Sequence, residues 1–389
     1  MRSNKEILFV FEPGNSGVFV HVEYIVRYFI RQRTPVHLYF SSLRSSVRLE
    51  NLVADVIESG GEVFDMKIPN RPAWRDIPIL FRLASFLFRK RSRLVVHCHS
   101  FKGGFIGRIT AYLMKVNAVF YTPNAYYGMR LEKGFGVWVN NFIERVLGNI
   151  GYTINVSSSE MNFAQNYLGI SQSQCFLNLN SVQVPVQDRH TNDLGIAFRD
   201  SLNLPKSACV LGTIGRFTTQ KNPKLLYESL THVCGIHNSV YLIHIGTGEH
   251  KEQCLNIAKK AGFLDRVRIL DEMEDVSSFF NSIDCYVMTS IYEGLSYAVL
   301  EALSYDLPLV LSDCPGNDEF MKYKFPEVWY FSPTSPDELS HSFLNNVFPK
   351  VPNDNWGNRS VLEKEFSLKK NCRRIEKLCD LVTDRQYRV

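Results

Sequence analysis

The residues best placed to do chemistry lie in Ile291–Asn317, IYEGLSYAVLEALSYDLPLVLSDCPGN. An apolar run ending at Met288 gives way to Thr289–Gly294, and a helical pattern begins near Ser296. The first N–H groups of a helix have no partner within it, and its dipole is positive at that end. A strand–turn–helix unit of this kind is a ready site for a diphosphate. Glu293 precedes the helix and Glu301 lies about two turns further on, so both carboxylates can share one side of the loop–helix unit. Spacing alone fits a surface Glu and an ordinary helix Glu equally well.

Other clusters also follow apolar runs. Gly215-Arg216-Phe217-Thr218-Thr219-Gln220-Lys221-Asn222 places two cations in one loop, and Asn222 can cap the next helix. Ile245-Gly246-Thr247-Gly248-Glu249 strips side chains from a turn, so that another group can approach its backbone. Gly14-Asn15-Ser16-Gly17 is not a dinucleotide fingerprint, yet it can bring backbone N–H groups near a phosphate or an acceptor. His97 and His99 are read as alternating across a strand, one structural and the other, His99, directed at the site. No carboxylate or Cys cluster with ligand spacing accompanies them, so no metal is expected.

These residues need elements to hold them. Expected strands are Ile7–Phe11, Val36–Phe40, Leu94–Cys98, Val119–Thr122 and Thr153–Val156, then Val210–Ile214, Tyr241–Ile245, Val267–Leu270, Cys285–Met288, Leu309–Ser312 and Val328–Phe331. Helix-period segments such as Gly17–Arg33, Gly103–Lys115, Asn222–Cys234 and Tyr297–Tyr305 separate them. Alternation of this kind implies parallel sheets covered on both faces. The series restarts near residue 208, which predicts two α/β domains of the doubly wound, Rossmann-like class. Expected bounds are 1–185 and 186–365, with the break in the Pro-containing polar stretch Val184–Asp193. In the last segment, 366–389, Leu368, Cys372, Ile375, Cys379 and Val382 form one apolar helical face that must pack back onto the first domain. Ligands of such sheets bind beyond the carboxyl ends of the strands, which predicts a site in a cleft between the two domains.

Residues 291–317 resemble the donor-binding signature of the retaining glycosyltransferases of family 4, whose fold is GT-B. The family pattern E-G-x-x-x-x-x-L-E-A, then G-x-P-V-V and a G-N-x-E-like turn, corresponds here to Glu293-Gly294, Leu300-Glu301-Ala302, Pro308 and Gly316-Asn317, with Asp306 where Gly is usual. The resemblance implies that Glu293 faces the donor sugar, that Glu301 accepts from the ribose hydroxyls, and that the amides of Leu295 and Ser296 hold the diphosphate. Residues 215–222 resemble the family's G-R-x-x-x-x-K-N motif, which implies that Arg216 and Lys221 stabilise the departing diphosphate. Gly246 and Gly248 resemble its G-x-G turn, and His97–Arg108 its H-x-H-S-x-x-G-x-x-G-R stretch. Relatives usually carry T-P-H-G or T-P-H-A, whereas this chain has Thr122-Pro123-Asn124-Ala125. Asn124 can hydrogen-bond a sugar but cannot carry a proton at neutral pH. The family's I-P-N-G-V-D turn is degenerate here, as Leu179–Gln183.

On the acceptor side the expectation is His99, Tyr126, Tyr127 and Arg130, the last three in the aromatic and basic stretch Tyr126–Phe135. Arg82–Arg93 holds five basic residues and no acid, which fits either anionic lipid or a core-facing helix with a solvated side. The rest is ordinary: 389 residues, 45% hydrophobic, 21% charged, net charge +5 and nine scattered cysteines. That balance excludes wholesale disorder and is too mild to argue for nucleic acid. Cysteines inside apolar runs read as core residues of a reducing compartment. With no apolar stretch of 18 residues, the expected place is the cytoplasm, peripherally at the inner face of the plasma membrane.

The reading is a retaining, metal-independent hexosyltransferase without a cofactor, using a nucleotide-diphosphate sugar. UDP-hexose or UDP-N-acetylhexosamine is favoured, because the H-x-H-S, K-G-G and T-P-x-A stretches resemble users of those donors. The implied acceptor is a lipid-linked glycan of surface polysaccharide synthesis, such as O-antigen or capsule. The alternatives are a nucleotide-sugar 2-epimerase of the same fold and a glycan-binding subunit without catalysis.

Overall fold

The computed structural model describes residues 5–12, 16–67, 77–129, 134–185, 193–351 and 356–386. The chain divides into two compact units. Unit 1 comprises Met1–Ser181 with Leu368–Val389, and unit 2 comprises Val182–Ser367.

Unit 1 is built on strands β1 (Glu6–Phe11), β2 (Val36–Phe40), β3 (Val63–Asp65), β4 (Leu94–His99), β5 (Ala118–Thr122), β6 (Tyr152–Asn155) and β7 (Cys175–Leu177). All pair in parallel, in the order β3-β2-β1-β4-β5-β6-β7. Every residue of β1, β2, β4 and β5 is buried, as both-face coverage by helices requires. The helices α1 (Gly17–Arg31), α2 (Val47–Glu58), α3 (Ile77–Lys90), α4 (Ser100–Leu113) and α5 (Phe135–Leu147) supply that cover. The final helix, Leu368–Gln386, buries Cys372, Ile375, Cys379 and Val382 in the same core as Val26 and Phe29 of α1.

Unit 2 repeats the plan with β8 (Cys209–Ile214), β9 (Val240–Ile245), β10 (Val267–Leu270), β11 (Cys285–Met288), β12 (Leu309–Ser312) and β13 (Val328–Phe331), all parallel, in the order β10-β9-β8-β11-β12-β13. Both units are thus doubly wound, with the strand order reversing at β1/β4 and at β8/β11. Strands β3 and β7 lack the apolar runs that announce the others. Each is a three-residue edge strand with only one residue, Cys175, buried between them.

All nine cysteines are free, and all but Cys209 are buried. Among the described residues no helix is long and apolar enough to cross a membrane.

Candidate active site

In unit 2 the loops that leave β8 and β11 meet where the strand order reverses. Backbone and side-chain bonds lock them together: Ile291 N donates to Gln220 O (2.8 Å), Gln220 Nε2 to Tyr292 O (3.2 Å) and Thr289 Oγ1 to Lys221 O (2.9 Å). Across this join Lys221 Nζ donates to Glu293 Oε1 at 2.6 Å, with the Lys side chain 21% and the Glu 9% exposed. Arg216 is exposed and, among the described residues, makes no side-chain hydrogen bond or ion pair. A pocket opens here, lined by Gly215, Arg216, Lys221, His244, Thr289 and Ser290. Because Glu293 neutralises Lys221, the positive charge left over at the mouth belongs to Arg216.

The glycines explain how the loops come so close. A Cβ on Gly246 (φ +151°) would stand 2.1 Å from Gly215 O, and one on Gly248 (φ +147°) 2.5 Å from Phe217 O. The G-x-G turn is therefore shaped to receive the Arg216 loop, which Phe217 N closes by donating to Thr247 O at 2.8 Å. His244 supports the same loop from beneath: its ring stacks on Phe217 at 3.9 Å and its Nε2 lies 3.0 Å from Gly215 O. Burial pushes its pKa down to about 4, so it stays neutral. Asn222 occupies the N-cap position of Pro223–Ile236 in the left-handed region, but its side chain binds Pro333 O at 3.0 Å rather than the helix.

Glu293 is fixed by its own backbone, whose N–H donates to Pro315 O at 2.8 Å. Gly316 (φ +96°) permits this, since a Cβ there would stand 2.5 Å from Glu293 O. Gly294, Leu295 and Ser296 follow, all buried, and Ser296 is the N-cap of the helix Tyr297–Ser304. Glu301 is half-buried on that helix. Asp306 takes the left-handed turn (φ +52°) where relatives use Gly, and its carboxylate accepts from Trp356 N (2.9 Å), Gly357 N (3.2 Å) and Arg359 N (2.8 Å). It thus caps the helix Asn358–Glu365, a role no glycine could fill.

Unit 1 carries a different constellation at its own reversal, between β1 and β4. His97 and His99 do not alternate: residues two apart on a strand share a face, and their rings lie 4.1 Å apart. His97 Nε2 binds Thr122 Oγ1 at 2.8 Å, which makes it the anchored partner. His99 is fully buried, with the ring of His21 from α1 edge-on at 5.3 Å. His21 Nδ1 lies 2.9 Å from Asn124 Nδ2, so Asn124 donates to a neutral imidazole. Burial lowers His21 and His97 to about 3 and holds His99 well below the usual histidine range. Asn124 (φ +55°) and Ala125 (φ +87°) are both left-handed, and Ala125 N is held by Glu160. Glu160 also accepts from Val156 N at 2.9 Å, and burial, opposed by those two amides, pushes its pKa up to about 7.

Of the other acceptor-side residues, Tyr126 is buried and packs on Phe163 with ring centroids 5.4 Å apart, so it belongs to the scaffold rather than to an accessible surface. Tyr127 is exposed at the start of a short 3-10 turn, and Gly17 is exposed at the first position of α1. Gly14 and Arg130 lie outside the described residues. Arg108, in the H-x-H-S stretch, pairs with Glu144 at 2.8 Å and stacks over Tyr121, a fully buried and structural arrangement. His21 and Glu160 were not foreseen. Their only sequence signal is a polar residue at a buried helical position, His21 sitting beside Phe19, Val22 and Ile25.

Comparison with known proteins adds to this geometry. Residues 196–345 match the family described as Glycosyl transferases group 1. A UDP-Gal:alpha-D-GlcNAc-diphosphoundecaprenol alpha-1,3-galactosyltransferase of Escherichia coli is 24% identical over 77% of this chain and 77% of its own length. An uncharacterised glycosyltransferase of Methanocaldococcus jannaschii is 29% identical over 42% of this chain, and the match spans only 36% of that relative. The crystal structure of Anabaena HepE in complex with UDP and glucose superposes with a TM-score of 0.79, covering 96% of this chain and 98% of that one at 16% identity.

Proposed function

We propose that the chain transfers a hexose or N-acetylhexosamine from UDP to a glycan hydroxyl, retaining the anomeric configuration and without a metal ion; the match of residues 196–345 to glycosyl transferases group 1 and the two Rossmann-like units support this reading. The acceptor is a lipid-linked oligosaccharide of surface polysaccharide synthesis. The observation that carries this reading is the Lys221–Glu293 pair beside the exposed Arg216 at the unit 2 pocket. UDP in the HepE complex and the UDP-Gal donor in the E. coli relative's name support the choice of base; the diphosphoundecaprenol in that same name supports the acceptor class.

The residues divide the work as follows. An arriving diphosphate competes with Glu293 for Lys221, and Arg216 adds a second cation, so positive charge is in place as the leaving oxygen becomes negative. Glu293, released from Lys221, orients the sugar. Glu301 takes the ribose hydroxyls, while the amides at Leu295 and Ser296, with the turn of Gly246, Gly248 and Gly294, hold the diphosphate. Asn124 and Tyr127 serve the sugar and acceptor by hydrogen bonding, while His99, fully buried, belongs to their scaffold. The leaving phosphate itself removes the acceptor's proton.

A panel of nucleotide sugars tests the donor: UDP-hexoses or UDP-N-acetylhexosamines should raise the thermal midpoint, and Glu301→Ala should abolish that shift at the same concentration. Glu293→Gln should lower turnover more than donor affinity, and activity should survive EDTA. Protection by GDP- or dTDP-sugars alone overturns the base, and loss of activity restored by Mn²⁺ overturns the metal-free mechanism.

A further inference from the structure

Large apolar side chains crowd the solvent side of three neighbouring helices in unit 1. Helix α3 packs beside α4, and α4 beside α5, so the three form one layer over the sheet. Phe81 and Phe88 on α3, Tyr112 on α4, and Phe135, Trp138 and Phe142 on α5 are all more than half exposed. The last three form a ladder: Phe135 stacks on Trp138 at 6.0 Å, and Trp138 on Phe142 at 5.8 Å. Exposed apolar surface normally costs solubility, and a contiguous patch marks an interface. On α1 and α2, by contrast, the most exposed large apolar residues are Val47 and Ile57, and neither helix exposes an aromatic ring.

Charge identifies what covers the patch. Residues 77–129 contain no Asp or Glu at all, and Glu144, the one acid of α5, is buried against Arg108. Arg82, Arg89, Arg91, Lys115 and Arg145 are exposed among the aromatics. Arg91 lies 4.5 Å from the Phe88 ring, an amphipathic pairing suited to a boundary between oil and water. A second copy of the chain would set this positive face against itself, since a two-fold interface repeats the same patch on both sides. Aromatic rings with basic residues and no acids match a surface of anionic lipid, where rings sit among the headgroups and cations meet phosphates.

We infer that the solvent face of α3, α4 and α5 is a docking surface for anionic membrane, with Phe135, Trp138 and Phe142 entering the headgroup region. The inference stands on this surface and not on the transferase reading, and its test uses no sugar transfer. The full chain is sedimented with vesicles of zwitterionic lipid alone or with about 30% anionic lipid. It should bind the anionic vesicles, and binding should collapse when salt is raised about tenfold, because screening shortens the reach of the charges. The variant Phe135→Ser/Trp138→Ser/Phe142→Ser should lose binding at least tenfold with an unchanged thermal midpoint. Should that variant unfold, Arg82→Glu/Arg89→Glu/Arg91→Glu, which changes only exposed residues, replaces it, with a loss of about fivefold or more per charge. Brominated anionic lipid should quench the wild-type fluorescence and leave Trp138→Phe largely unquenched. Wild type that stays in the supernatant, variants that bind like wild type, or a wild-type dimer that the aromatic variant dissociates without vesicles would each overturn the inference.

Discussion

At the reversal of strand order in unit 2 the side chains are ionic and partly wet: Lys221 and Glu293 pair at 2.6 Å, and Arg216 stands exposed beside them. The corresponding point in unit 1 is dry and neutral. His21, His97 and His99 are at most 2% exposed, and burial keeps all three from protonating near neutrality. The same topology thus delivers opposite electrostatics. Charge sits at the pocket of unit 2, and neutral hydrogen-bonding dipoles sit at the reversal of unit 1. The surfaces differ as sharply. Every large aromatic residue exposed by more than a third, among the described residues, belongs to unit 1, whereas the large apolar residues that unit 2 exposes, such as Ile196 and Ile236, are not aromatic.

The largest effects should follow from breaking the ionic side. Arg216→Ala and Lys221→Ala should each lower turnover by roughly two to three orders of magnitude, as loss of one donor to a developing anion does. Arg216→Lys should also be poor, since an ammonium lacks the planar fork. Under the proposed function both cations act on one group, so the double variant should cost less than the sum of the singles. Asn124→Ala, on the neutral side, should cost about tenfold, the scale of one uncharged hydrogen bond. Steady-state kinetics of the five variants decides the matter: an Asn124→Ala loss as large as that of Arg216→Ala would erase the contrast between the units.

A smaller effect should appear in stability against pH. A histidine held below its unfolded pKa takes up a proton more readily when unfolded. Its stabilising contribution is therefore complete above about 6.5 and is lost as pH falls toward the folded value, about 3 for His21 and His97. Each such histidine adds up to about 1.4 kcal/mol per pH unit to the slope. Glu160, raised to about 7, works the other way between 4.5 and 7, because its folded form holds the proton that the unfolded chain releases. Unit 2 has one comparable group at its reversal, His244. Urea unfolding between pH 4.5 and 7 should thus show His21→Asn losing about one proton's worth of slope. An unchanged slope would mean that His21 is charged in the folded protein.

The strands around both sites could be read directly, because buried parallel strands are continuous apolar runs: β11, β12 and β13 fall on the expected residues. Strands β3 and β7 could not, since short edge strands bury too little to need an apolar pattern. Motif spacing brought Arg216, Lys221 and Glu293 to one place, but not the fact that Lys221 and Glu293 pair with each other. That pairing depends on a distance across two loops separated by some 70 residues of sequence, which no local pattern encodes. His21 was hidden for the converse reason. It occupies a core position of α1, and its contact with Asn124, 103 residues away, gives it a polar task.

Asp306 offers the finest test, because it secures a left-handed turn with its side chain, whereas other such turns are secured by the absence of one. Unit 1 uses glycine at Gly151 (φ +76°), where a Cβ would stand 2.2 Å from Val119 O; unit 2 uses Asp306 at φ +52° and employs its side chain. Asp306→Gly relieves the cost of the left-handed backbone but removes the acceptor for Trp356 N, Gly357 N and Arg359 N. Losing a helix cap costs about 0.5–2 kcal/mol, whereas the backbone relief returns less than that for a residue type that tolerates this region. The net expectation is a loss of roughly 1 kcal/mol. Asp306→Ala loses the cap and pays the left-handed penalty as well, so it should be worse than Asp306→Gly by about a further 1 kcal/mol. Asp306→Asn, which keeps an acceptor and tolerates the turn, should be the mildest of the three. Donor affinity should not move in any of them. Equilibrium unfolding in urea ranks the series, and an Asp306→Gly variant as stable as wild type would show that the three amides find equal partners in water and that the carboxylate holds nothing together.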